Sequence, residues 1–320
     1  MKKILIKTLI VCTVVLLLPF LLTLLLSKQN DTRSLGIQNF QIYYKANGTE
    51  EELDFEKYIM GVVAANMPAG YNMEALKAQA VIARTYALYN ISLLSEDSNH
   101  NNQYTTSELG LTYISLSSLE QYWGTKDYLD YFSKIENAVY GTQGEIMMYQ
   151  DSLVLPVFFD TSCGFTRNAK EAWGVDIPYL ESVPSKQDVT STHYLKIKEE
   201  SVASVIDTLE KAYQVTLTED NFFQEVTVTE RDSADYVTKM NLGDLSVSGE
   251  EFAKVLGLSS NHFYIDNYDG NVRIICNGVG HGVGMSQYGA NAMAVNGSHY
   301  KDILTYYYTG VQLASLDEAD

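Results

Sequence analysis

The chain has 320 residues, of which 46% are hydrophobic, so it can bury a core and is not a disordered protein. Its 40 Asp and Glu residues outnumber 22 Lys and Arg residues, and the net charge of -18 with no basic run excludes nucleic acid as a partner. The three cysteines form no Cys-x-x-Cys pair and no Cys/His cluster, which predicts neither a disulfide framework nor a metal site.

The first feature along the chain is an uncharged, mostly aliphatic run over residues 8–26, preceded by Lys2, Lys3 and Lys7. Such a run is long enough to cross a bilayer, and lysines before it place the N-terminus in the cytoplasm. A cleaved signal peptide is the alternative, but the run exceeds a signal core and no small-x-small cleavage site follows it. We therefore predict a cytoplasmic segment (1–7), a single-pass anchor in the cell membrane (8–26), a linker (27–37) and an extracytoplasmic domain.

Strand and helix patterns are mixed in the rest of the chain, without βαβ alternation and without a Gly-rich nucleotide turn, so no cofactor is predicted. Asn72 and Ser248 are candidate helix N-caps. β-branched and aromatic residues predict strands over 40–44, 155–159, 223–229 and 272–276. Helical spacing of apolar residues predicts helices over 73–90, 201–213 and 249–256. The prediction is an α+β domain over 38–314, with a middle subdomain over about 187–260 and a tail over 315–320.

Two stretches carry a specific resemblance: YIMGVVAANMPAGYNMEALKAQAVIARTYA at 58–87 and GVGHGVGMSQYGA at 278–290. Both resemble the stage II sporulation protein D family, membrane-anchored lytic transglycosylases of spore-forming bacteria. The resemblance extends over 38–313. It implies a glycan-binding cleft and a substrate, peptidoglycan glycan strands without peptides. It also implies a setting, the septum and engulfing membrane of a sporulating cell.

One position departs from the family. Its enzymes have Glu, the proposed general acid and base, before the Met-Pro pair, where this chain has Asn66. An amide cannot donate and recover a proton, whereas lytic cleavage needs an acid for the glycosidic oxygen and a base for the sugar's own C6 hydroxyl. The Cys/His cluster that holds zinc in some clostridial members is also missing from 91–117, so no metal is implied.

Three hypotheses stay open at this point. The chain is a lytic transglycosylase that cleaves denuded glycan with a relocated acid, or it is a catalytically silent wall-binding scaffold that recruits other membrane-anchored engulfment proteins. The third is a wall-binding module outside sporulation, since the same domain occurs in amidase-modifying proteins.

Candidate residues of the first motif lie on its predicted helix. Glu74 is an alternative acid, although a carboxylate there is also favoured by the helix N-terminus. Further acids to consider are Asp160, which lies in the stretch 158–166, and Glu171 and Asp176, which follow that stretch. Lys77 and Arg84 are seven residues apart and share a helix face, where they either bind sugar hydroxyls or anchor nearby carboxylates.

The second motif and the stretch 158–166 supply the other candidates. His281 is surrounded by glycines, and imidazole can titrate near neutral pH, which suggests a substrate contact as an alternative to a structural role. Ser286, Gln287 and Tyr288 suggest a sugar-binding wall, or the start of a helix packed on the core. Ser162 is a further substrate-binding candidate, although no nucleophile elbow surrounds it. The cleft of the family implies a Cys163–Cys276 disulfide, with two free thiols as the alternative.

Overall fold

The computed structural model describes residues 40–46, 48–95 and 101–316. The predicted cytoplasmic segment, anchor and linker lie outside these residues, as do residues 317–320 of the tail. Within the described ranges, no helix is both long and apolar enough to cross a membrane. These ranges contain helices interspersed with several small sheets, which confirms the α+β prediction.

The described helices and strands follow one another irregularly along the chain. The helices are α1 (Phe55–Asn66), α2 (Met73–Ser95), α3 (Leu119–Trp123), α4 (Tyr128–Tyr140), α5 (Ala169–Trp173), α6 (Val202–Tyr213), α7 (Phe222–Glu225), α8 (Gly249–Val255), α9 (Gln287–Val295) and α10 (Tyr300–Tyr307). The strands are β1 (Gln41–Ala46), β2 (Thr49–Leu53), β3 (Gln103–Thr105), β4 (Glu145–Tyr149), β5 (Ser152–Leu153), β6 (Phe158–Phe159), β7 (Leu195–Ser201), β8 (Val226–Arg231), β9 (Val237–Leu242), β10 (Leu245–Ser248), β11 (Phe263–Tyr268), β12 (Asn271–Asn277), β13 (Met285–Ser286) and β14 (Gln312–Ser315).

The strands form small sheets with mixed pairing. Their orders are β2-β1-β3, β14-β4-β5, β13-β6, β10-β9-β8 and β11-β12-β7. The β13-β6 pair is parallel, with Met285 opposite Phe158 and Ser286 opposite Phe159. It joins the second motif (278–290) to the stretch 158–166. This short pairing brings residues that are far apart in sequence to one edge of the functional site.

Helix α2 is the centre of the larger core. It packs against α1, α4, α9, α10 and β4, and its residues from Ala75 to Ile91 are mostly buried. A helix enclosed on all sides has no polar face to present, which explains the run of Ala, Val, Ile and Leu in this motif. The first motif therefore encodes the scaffold on which the rest of the domain is assembled.

A second cluster of buried apolar residues lies within 202–276, between α6, α8 and the sheets that contain β7 to β12. Leu209, Phe222, Phe252 and Phe263 are almost fully buried in it. This second core includes most of the predicted middle subdomain (187–260), and its sheet continues beyond Ser260 to Asn277.

The three predicted helices are confirmed, with Asn72 accepting the Glu74 N–H and Ser248 forming a capping box with Glu251. Two strand predictions are wrong in part. Only Phe158–Phe159 of the stretch 155–159 forms a strand, because Pro156 lacks an N–H for a ladder. The stretch 223–229 begins with a helical turn that buries Phe222, and its strand starts at Val226.

Candidate functional site

A cleft of about 770 Å³ opens beside the C-terminal end of α1. Its floor is formed by the end of α1 and the turn that leads to α2, and aromatic side chains form much of its wall. The residues that line it are Ala64, Ala65, Asn66, Met67, Pro68, Ala69, Gly70, Tyr71, Tyr122, Trp123, Tyr131, Asp160 and Gln287. The departure from the family motif, Asn66, thus lies in the cleft.

The Asn66 side chain is held by the backbone around it. Its Nδ2 donates to the carbonyl oxygens of Val62 at 2.7 Å and Thr112 at 2.8 Å. The segment that carries Thr112 approaches α1 closely because residue 61 is glycine: a Cβ there would lie 2.3 Å from the Tyr113 ring. Both amide hydrogens of Asn66 are therefore engaged, and the group has no proton to exchange with a ligand.

The start of α9 joins the two sides of the cleft. Gln287 Nε2 donates to the Asn66 carbonyl at 2.7 Å and to Gln79 Oε1 at 3.1 Å, and Gln287 is 5% exposed. The next residue, Tyr288, donates its backbone N–H to the Asp160 carbonyl at 3.0 Å. Asn66 and Asp160 are consequently positioned by adjacent residues of one helix, although they are distant in sequence.

The hydroxyl groups of Tyr288 and Tyr71 have different surroundings. The Tyr288 hydroxyl lies 3.1 Å from Thr190 Oγ1, which ties α9 to the short helical turn Lys186–Thr190. Burial, with the nearby Asp160 carboxylate, raises the pKa of Tyr71 to about 12. The Tyr71 hydroxyl consequently stays protonated and is a hydrogen-bond donor at neutral pH.

His281 has a structural role, because both of its ring nitrogens lie within hydrogen-bond distance of backbone groups. Its Nδ1 accepts the Val283 N–H at 3.1 Å, so the ring proton is on Nε2, which lies 3.1 Å from the Phe158 carbonyl. Its ring also packs against Phe159 and Trp173, with centroids 5.7 Å apart in each case. Burial lowers the pKa of His281 to about 4, so the imidazole is neutral where the sequence suggested that it titrates.

The glycines around His281 permit close approach of the protein to itself. Gly278, Gly280, Gly282 and Gly284 all have positive φ. A Cβ on Gly284 would lie 2.0 Å from the Val157 carbonyl oxygen, and one on Gly280 would lie 2.7 Å from Phe159 Cβ. The glycine pattern thus packs the second motif against the strand β6 that precedes Asp160.

Arg84 lies inside the larger core. Its guanidinium is fully buried and forms a bidentate pair with Glu56, at 2.9 Å from Nε and 2.7 Å from Nη2, and Nη1 donates to the Glu145 carbonyl. Of the two roles open from the sequence, anchoring a carboxylate is the one that this position permits.

Lys77 and Glu74 form a mostly buried pair that does not line the cleft, with Lys77 Nζ 2.7 Å from Glu74 Oε1. Burial by itself raises the pKa of Glu74, but hydrogen bonds from Lys77 and from the Tyr300 N–H lower it overall. Glu74 is therefore engaged by Lys77 and Tyr300 outside the cleft, where it cannot reach a bound ligand.

Ser162 and Ser286 are also committed to the protein. Both are fully buried: Ser162 Oγ accepts the Gly164 N–H, and Ser286 Oγ caps α9 by accepting the Gly289 N–H. The buried Asp188 carboxylate accepts the Ser162 N–H at 2.7 Å. Cys163 and Cys276 are free thiols, each donating to a backbone carbonyl.

Among the residues that the structure describes, Asp160 is the one carboxylic acid in the wall of the cleft. The other acids considered from the sequence are engaged elsewhere. Glu171 accepts the N–H and the hydroxyl of Ser233, which lowers its pKa, and Asp176 is exposed beside Lys170. Nowhere in these described ranges do three or more His, Cys, Asp or Glu side chains form a group that could hold a metal ion.

The aromatic wall of the cleft, formed by Tyr122, Trp123 and Tyr131, belongs to no motif of the sequence. Tyr122 is 57% exposed, and Trp123 contacts Tyr131 edge to face with centroids 5.7 Å apart. Residues 113–132 are rich in aromatic side chains, and this was the one sequence feature that could have indicated the wall. Because these side chains are not regularly spaced, they do not predict one exposed face.

Comparison with known proteins agrees with the resemblance in the motifs. Residues 43–149 match the family model described as Stage II sporulation protein. The chain is 36% identical over 279 residues to Stage II sporulation protein D of Bacillus amyloliquefaciens, covering 86% of this chain and 78% of that protein. It is 34% identical over 292 residues to the protein of the same name from Bacillus subtilis strain 168, covering 91% and 83%.

A more distant similarity is to a protein named Amidase enhancer from Bacillus subtilis strain 168, at 26% identity over 305 residues, with 80% of this chain and 40% of that protein covered. The two sporulation proteins match most of the chain at more than 30% identity. The chain belongs to the stage II sporulation protein D family.

Proposed function

We propose that the cleft beside Asn66 binds glycan strands of peptidoglycan in a sporulating cell. The observation that carries this proposal is the combination of an open cleft with the aromatic side chains of Tyr71, Tyr122, Trp123 and Tyr131 in its wall. Aromatic faces suit the apolar C–H faces of pyranose rings, while tyrosine hydroxyls and carboxylates suit sugar hydroxyls.

The similarity to a protein named Amidase enhancer supports a role alongside an amidase, which is consistent with the proposed site at the cell wall. Family membership supports the sporulation setting. The apolar run at 8–26 supports attachment to the cell membrane with the cleft on the extracytoplasmic side, where the wall polymer is located.

The state of Asn66 separates binding from cleavage. Its amide is held by two backbone carbonyls, so the position that carries the acid in the family's enzymes serves here as part of the cleft floor. Glycan binding does not need a proton donor at this position, whereas lytic cleavage needs one elsewhere in the cleft.

The proposal is tested by Tyr122→Ala in the full-length chain, purified in detergent and titrated with labelled denuded glycan strands. Tyr122 is the most exposed ring of the wall, so we expect its removal to weaken binding by about 10-fold, equal to about 1.4 kcal/mol. Tyr140→Ala is the matched control, since Tyr140 is 41% exposed on α4 and does not line the cleft. Equal affinity of the two variants, or no binding by the unaltered chain, would refute the proposal.

A further inference from the structure

We propose that Asp160 is the catalytic acid and base of this cleft, positioned by His193, and that it replaces the carboxyl missing at residue 66. This inference rests on the proposed binding of glycan in the cleft. It makes the chain a lytic enzyme whose proton-transferring group is connected to Asn66 through the adjacent residues Gln287 and Tyr288.

The first observation is location. Asp160 lines the cleft, and its side chain is 32% exposed, so its carboxylate can reach a ligand. The other acids near the motifs are engaged outside the cleft, as Glu74 and Glu171 show. A carboxyl in the wall of a glycan cleft is the group that proton transfer to a glycosidic oxygen requires.

The second observation is the partner of this carboxylate. His193 Nδ1 lies 3.3 Å from Asp160 Oδ1 and 3.2 Å from Oδ2, and the hydroxyl of Thr161 donates to Oδ1. The backbone N–H of His193 donates to Ser191 Oγ at 3.1 Å, which fixes the main chain at this residue. An imidazole at this distance orients the carboxylate through a hydrogen bond between Nδ1 and the carboxylate oxygens.

The third observation is the fixed backbone beneath the carboxylate. The Asp160 carbonyl accepts the Tyr288 N–H at 3.0 Å and lies 3.4 Å from Ser286 Oγ. Thr161 and Val279 exchange two backbone hydrogen bonds, of 3.2 and 2.8 Å. The glycine-rich second motif thus holds Asp160 on a rigid element, as proton transfer at a set position requires.

These contacts permit cleavage of the glycosidic bond without water or another reactant. The Asp160 carboxyl gives its proton to the glycosidic oxygen while the bond from that oxygen to the anomeric carbon breaks and its electron pair stays on the oxygen. The C6 hydroxyl oxygen of the same sugar bonds to the anomeric carbon, and the hydroxyl proton passes to the Asp160 carboxylate. The products are an anhydro sugar end and a free hydroxyl end, and the carboxyl is regenerated.

The experiment measures binding and anhydro product separately, with the full-length chain in detergent and denuded glycan strands as the probe. We expect the unaltered chain to release anhydro product and Asp160→Asn to reduce the rate by about 100-fold or more, with affinity changed less than about 3-fold. Asp160→Glu should restore part of the rate. Asp207→Asn, which alters an exposed carboxylate on α6, is the control and should leave the rate unchanged.

His193→Gln tests the positioning role of His193 by a second variant, which does not depend on whether Asp160→Asn folds. We expect it to lower kcat for anhydro product, because the carboxylate is no longer held in place, while KM and glycan affinity are retained. Binding without anhydro product from the unaltered chain, or undiminished product from Asp160→Asn, would overturn the inference and leave the proposed function in place. Absence of glycan binding would instead refute the proposed function, and this inference with it.

Discussion

The glycine-rich segment 278–288 and the aromatic segment 119–131 border the same cleft in opposite ways. In the first, His281, Ser286 and Gln287 direct their polar atoms to backbone groups or buried side chains. In the second, Tyr122 and Trp123 leave ring surface open to the cleft. The glycine-rich motif thus builds the site, while a segment without a motif provides much of its contact surface.

The same contrast separates stability from binding. Residues whose polar groups are buried and paired should affect unfolding when they are changed, because the partner left behind loses its hydrogen bonds. Residues with open side chains should affect ligand affinity and change unfolding little. The following predictions test this division, beginning with the largest expected effect.

Arg84→Met should lower the free energy of unfolding by about 3–5 kcal/mol, because the buried Glu56 carboxylate would lose its bidentate partner. Urea denaturation of the full-length chain in detergent measures this. Adding Glu56→Gln should recover part of the loss, since the unpaired charge is then removed. A loss below about 1 kcal/mol would contradict a stabilising role for the Arg84–Glu56 pair.

His281 should make unfolding depend on pH. Its pKa falls from 6.5 in the unfolded chain to about 4 in the folded one, so the unfolded chain takes up the proton first as the pH falls. Its stabilising contribution is complete above pH 6.5 and is lost between pH 6.5 and 4, by up to about 3 kcal/mol. The unfolding free energy of His281→Gln, measured over this range, should lack that part of the slope.

Asn66→Glu, made together with Asp160→Asn, should restore anhydro product by about 100-fold over Asp160→Asn alone, equal to about 2.7 kcal/mol of barrier. A carboxyl near the Val62 and Thr112 carbonyls is favoured in its protonated form, because only that form can donate to them. Product release from denuded glycan is the measurement. Failure to gain product while glycan affinity is kept would mean that residue 66 no longer faces the scissile bond.

Lys77→Met should have the smallest effect, below about 1 kcal/mol in urea denaturation, because its pair with Glu74 is partly solvated. Glycan affinity should be unchanged, since neither residue lines the cleft. A loss of affinity of about 10-fold would assign Lys77 to the sugar-binding surface that the sequence left open.

Sequence patterns were reliable where one local rule dominated. The helix α2 and its Asn72 cap, the capping box at Ser248 and the strand over 272–276 follow from spacing and from side chains a few residues apart. They were less reliable at 155–159 and 223–229, where β propensity competed with Pro156 and with the burial of Phe222. These outcomes depend on contacts that no local pattern contains.

Residue identity and short-range periodicity are enough to assign the family, the α+β class and the absence of a carboxyl at residue 66. Which polar residues face the cleft depends on contacts between distant segments. Arg84 lies within the first motif and Asp160 within the stretch 158–166, yet Arg84 is buried against Glu56 and Asp160 opens to the cleft beside His193. Burial and pairing across distant segments produce that difference, and a linear pattern does not encode them.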